Sequence, residues 1–74
     1  IGMVGIKLNV HRDHLEQIVS ILPSLNAPTV AGLHQSEWYS VESVVSEAVV
    51  RSLIPRLLES GAEGIIEYPL NKVL

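Results

Sequence analysis

The 74-residue chain has no cysteine, which excludes a disulfide framework and a thiolate zinc site and leaves the redox compartment open. It also lacks any apolar run near the ~20 residues a membrane span requires. Basic residues are few. Five Lys and Arg against eight Asp and Glu give a net charge of −3, which speaks against a nucleic-acid module, whose affinity rests on neutralising phosphates. Length is short as well: 8.1 kDa is one small domain at most, and such a domain buries only about 60% of its unfolded surface. That argues against a self-contained enzyme with a deep cleft. The composition is still that of a folded protein, at 47% hydrophobic and 18% charged, outside the regime of disorder.

What is present is patterning. Val4, Ile6, Leu8 and Val10 alternate with Gly5, Lys7 and Asn9, the period-2 signature of a half-buried strand. The period then changes. Leu15, Ile18, Val19 and Leu22 fall on one face of a helix, with Asp13 at its positive end and Pro23 ending it. Thr29–Gln35 is expected as a second strand, Gln35–Glu37 as a hairpin loop and Trp38–Val45 as a third strand. Ser46 stands where an N-cap belongs, with Glu47 in the first turn. The helix that follows carries two apolar rows, Val49–Leu53–Leu57 and Val50–Ile54–Leu58, and predicts a wide buried face. Pro55 lies inside it, where it removes a hydrogen bond; because both rows continue past it, a kinked helix is expected rather than two pieces. Gly61 supplies a left-handed stop, and Gly64–Tyr68 is the last strand.

Strand, helix, strand, strand, helix, strand predicts an α+β domain over residues 1–74. Its architecture is the ferredoxin-like split βαβ (βαββαβ), a four-stranded antiparallel sheet with both helices on one face. No internal linker is visible. The second sheet face is left bare, and a chain this small is expected to cover it with another copy or another domain. The opening at Ile1, already strand-like within a few residues, suggests a fragment of a longer chain.

Catalytic patterns are missing. His11 and His14 have the i, i+3 spacing of metal ligands, but His34 is the sole further histidine, and solvated residues at a helix start are the preferred reading. No serine sits in a nucleophile elbow, the glutamates form no acid–base pairing, and Gly61-Ala62-Glu63-Gly64 lacks the spacing and lysine of a phosphate loop. Trp38 reads as a core or interface anchor. Asn9, Thr29 and Gly64, small or permissive residues at element ends, would suit a small zwitterionic ligand held by freed backbone groups.

The runs Lys7-Leu8-Asn9-Val10-His11-Arg12-Asp13, Leu22-Pro23, Ala27-Pro28-Thr29-Val30, Trp38-Tyr39-Ser40-Val41, Val44-Val45, Gly61-Ala62-Glu63-Gly64-Ile65-Ile66 and Tyr68-Pro69-Leu70-Asn71-Lys72-Val73, in this order and spacing, resemble the C-terminal regulatory domain of long-form ATP phosphoribosyltransferase. The resemblance covers essentially the whole chain. It implies a parent enzyme of the cytoplasm that joins ATP to phosphoribosyl pyrophosphate with magnesium, the first step of histidine biosynthesis, in upstream catalytic domains. It implies for this domain no catalysis and no cofactor, assembly with copies of itself in a hexamer, and binding of L-histidine as feedback inhibitor. The residues so implied for histidine are Asn9, Leu25, Thr29, Val44 and Gly64. The alternative is an oligomerisation module without a functional ligand site; a small enzyme in its own right ranks behind both. Neither nucleic acid nor membrane is an expected partner.

Overall fold

A computed structural model describes residues 2–23 and 27–74. The order is β1 (Met3–His11), α1 (Leu15–Ile21), β2 (Thr29–Gly32), β3 (Trp38–Ser46), α2 (Val50–Glu59) and β4 (Glu63–Pro69), with single 3₁₀ turns, Arg12–His14 and Glu47–Val49, leading into the two helices. The strands form one antiparallel sheet in the order β2-β3-β1-β4, so the expected ferredoxin-like arrangement is the one observed.

Alternation along the two central strands divides the sheet. Val4, Ile6, Leu8 and Val10 of β1 and Val41 and Val45 of β3 are buried beneath the helices, against Ile18, Leu22, Val50, Leu53 and Leu57. Among the described residues, Ser43 is the buried polar one in this layer. Its hydroxyl donates to the Pro23 carbonyl at 2.9 Å, which satisfies both groups and ties the end of α1 to β3. The intervening residues of β1 and β3 project to the face without helices.

Local signals act as their chemistry dictates. The Ser46 hydroxyl accepts from the Ala48 backbone N–H at 3.3 Å, and Gly61 adopts a φ of 102° where α2 ends. α2 runs unbroken from Val50 to Glu59 with Pro55 inside it. Two expectations are corrected. The buried stripe of α2 is Val50–Leu53–Leu57 with Ile54 beside it, while Val49 and Leu58 are exposed; a two-layer domain offers a helix one contact surface, so both apolar rows cannot be covered. The second strand stops at Gly32 rather than Gln35. Ser36 accepts from the Trp38 N–H at 3.1 Å, and Gln35 takes a positive φ of 47°, so the turn claims residues 33–37 before the ladder can extend.

Candidate functional site

Antiparallel register sets the helix-free face in rows. Thr29 of β2, Glu42 of β3, Lys7 of β1 and Ile66 of β4 lie in one row; Ala31, Ser40 and Asn9 lie in the next. On the other side of the first row come Val44, Gly5 and Tyr68. At the far end His11 faces Trp38, their rings edge-on at 5.6 Å.

Four of the five residues implied for histidine fall on or beside this face; Leu25 lies outside the described residues. They form two groups. Asn9 and Gly64 are neighbours: pairing slips by one residue between Lys7↔Ile66 and Asn9↔Glu63, which places a bulge on β4 with Gly64 at a φ of 59°. A Cβ built at Gly64 would lie 3.9 Å from the Asn9 amide nitrogen, so the glycine is needed for its backbone conformation and not for room. Thr29 and Val44 form the second group. Thr29 pairs with Glu42, two residues before Val44, which makes the two diagonal neighbours roughly 7–8 Å apart. Thr29 and Gly64 stand on the two edge strands, three strand spacings or roughly 14 Å apart.

The most structured feature of this face escapes sequence reasoning. Tyr68 reaches from β4 across β1, and its hydroxyl donates to Glu42 Oε2 on β3. Its ring covers Gly5, where a Cβ would overlap it. The hydrogen bond to Glu42 raises the Tyr68 phenol above its ordinary pKa of 10.0, with burial and the carboxylate charge adding to the shift. The available signal was a lone glycine inside a strand pattern, which often marks the close approach of another group.

The remaining candidates have other uses. The His11 Nδ1 accepts from the Asp13 N–H at 3.1 Å and caps the first 3₁₀ turn. His14 packs beside the Gly61 turn, and His34 is exposed in the β2–β3 connection. Among the described residues no three His, Asp or Glu side chains converge where they could hold a metal ion, so no residue here is assigned to the magnesium implied for the parent enzyme. Trp38 is half-buried and outside the core cluster, so it does not serve as a core anchor. Arg12 joins Glu37 at 2.6 Å, an exposed pair worth at most about 1 kcal/mol. On the helix side a groove of about 360 Å³ lies between the end of α1 and α2, lined in part by Leu22, Leu53 and Arg56; none of the four described residues implied for histidine lines it. Among the described residues no helix is long and apolar enough to cross a membrane.

Similarity to known proteins agrees with the fold. Residues 2–72 match the family described as "HisG, C-terminal domain". The chain is 61% identical over 72 residues to the ATP phosphoribosyltransferase of Desulfosudis oleivorans. It is 60% identical over 72 residues to that of Desulfatibacillum aliphaticivorans and 55% identical over 73 residues to that of Geotalea uraniireducens. These alignments cover 97–99% of this chain and 25% of each relative, so the chain spans about a quarter of their length. The chain therefore belongs to the C-terminal domain family of ATP phosphoribosyltransferase.

Proposed function

We propose that this domain is the histidine sensor of an ATP phosphoribosyltransferase, seating L-histidine between two copies of itself and acting without a cofactor of its own. Family membership supports the regulatory role. The observation that carries the two-copy seat is the separation of the site residues. Asn9 with Gly64 and Thr29 with Val44 share one face, yet Thr29 and Gly64 are separated by three strand spacings, farther than one histidine molecule reaches. Two copies meeting through their helix-free faces bring the first pair of one against the second pair of the other. Exposed Ile66 and half-buried Val44 and Trp38 supply apolar area for that contact. In a cytoplasmic parent enzyme, with magnesium and both substrates held by the upstream domains, the seat would act on catalysis through a coupling free energy typically of 1–3 kcal/mol.

The test is calorimetric titration of the product of the full-length gene with L-histidine, for the wild type and Thr29→Val. This substitution keeps shape and β-branching and deletes the hydroxyl. Loss of one hydrogen bond to a charged ligand group costs about 1.5–3 kcal/mol, or roughly 10- to 150-fold in affinity. Equal affinities would remove Thr29 from the seat. A wild type that assembles and does not bind histidine would leave the domain as an oligomerisation module, the reading that the apolar side chains of the open face favour on their own.

A further inference from the structure

None of the five residues implied for histidine carries a charge, yet a free amino acid brings a full ammonium charge into whatever seat receives it. Burying that charge without a partner is costly, so a counter-charge is expected within the seat. Glu42 is placed to supply it. It is half-buried on β3, directly across from Thr29 and two residues before Val44, with Lys7 as its partner on β1. Tyr68 holds one of its oxygens, Oε2, and Tyr68 is itself laid over Gly5. The other oxygen, Oε1, has no hydrogen-bond partner among the described residues, and no ion pair joins Glu42 to Lys7 among them. A carboxylate pinned through one oxygen loses little further freedom on binding and keeps acceptor capacity on the second.

The geometry points to Glu42, braced by Tyr68, as the residue that receives the ligand's α-ammonium group beside the Thr29 hydroxyl. This inference rests on the proposed histidine seat and adds its charge-reading residue.

The experiment titrates the full-length gene product with three ligands: L-histidine, histidinol (which keeps the ammonium and lacks the carboxylate) and imidazole propionate (which keeps the carboxylate and lacks the ammonium). Glu42→Gln retains an acceptor for the Tyr68 hydroxyl and so preserves the brace. It is expected to weaken L-histidine and histidinol roughly 10- to 150-fold and to leave imidazole propionate, measured by displacement, unchanged. Tyr68→Phe, which frees the carboxylate to rotate, should reproduce the pattern with a smaller factor. Undiminished L-histidine affinity in Glu42→Gln, or an equal loss for all three ligands, would overturn the assignment and leave the Thr29 seat standing. A wild type that binds none of the three would sink the seat and this inference together.

Discussion

Gly5→Ala should destabilise the domain only while Tyr68 is present. In a strand interior glycine is less favourable than alanine by about 0.5–1 kcal/mol, because it loses more backbone freedom on folding. Alanine at position 5 would therefore be a gain if nothing lay above it. The Tyr68 ring does lie above it, and a Cβ would overlap that ring. Displacing it breaks the bond to Glu42, worth about 1 kcal/mol at a half-exposed site. It also uncovers ring and backbone surface; at about 25 cal/mol per Å², some ~40 Å² of lost apolar contact adds about 1 kcal/mol. The net expectation is a loss of roughly 1–1.5 kcal/mol in the Tyr68 background and a gain of about 0.5–1 kcal/mol in Tyr68→Ala. The coupling between the two sites is then about 2 kcal/mol, well beyond the additivity error of about 0.3–0.5 kcal/mol.

Urea unfolding of wild type, Gly5→Ala, Tyr68→Ala and the double variant measures this cycle, with a common slope confirming a shared unfolding reaction. A core of this size supplies roughly 3–5 kcal/mol, so a loss of that size shifts the midpoint visibly. The reasoning is refuted if Gly5→Ala stabilises both backgrounds equally, for then the ring does not depend on the glycine.

Three further outcomes are expected. The Tyr68 phenol is raised in the folded state, so its contribution to stability is fully present below the unfolded value of about 10 and is lost as pH rises through the folded one; the melting-temperature advantage of wild type over Tyr68→Phe should shrink as pH rises above about 10, and a constant advantage would refute the linkage. Ser46→Ala removes the acceptor for the Ala48 N–H and should cost about 1 kcal/mol, read as a melting temperature lower by roughly 4–8 °C. Pro55→Ala restores a helical donor inside α2 and should stabilise by about 1–2 kcal/mol after the entropy that proline removes from the unfolded chain is subtracted; an unchanged urea midpoint would show that the helix has already relaxed around the ring.

Local chemistry was legible wherever one residue and its near neighbours determine the outcome. The alternation from Val4 to Val10, the Ser46 cap and the Gly61 stop each act through contacts within a few residues, and each appears where its pattern places it. Features decided by distant partners were not legible. Tyr68 and Glu42 are 26 residues apart in the chain and meet because β1 lies between their strands. Gly64 reads as the opening of the last strand, and its place in a bulge emerges only with the slip against Asn9. Val49 and Leu58 fit the apolar rows of α2, and their exposure follows from how little sheet a 74-residue domain offers its helices. The two-group division of the residues implied for histidine has the same origin, since register is a property of strand pairs.

Were the proposed ligand to bind, its signal would leave the open face through β3. Adjacent residues of β3 point to opposite faces, so Glu42 and Val44, beside Thr29, alternate with Val41, Ser43 and Val45 in the core. A ligand that draws Glu42 toward itself acts on the strand whose next residue, Ser43, holds the end of α1 through the Pro23 carbonyl. Close packing transmits such a displacement rather than absorbing it. The same strand leads through Ser46 into α2, which gives the open face a covalent connection to the second helix as well. Tyr68 links this pathway to β4 across the glycine gap at position 5. On the proposed reading, the ligand seat on one face and the core on the other are joined through the backbone of a single central strand.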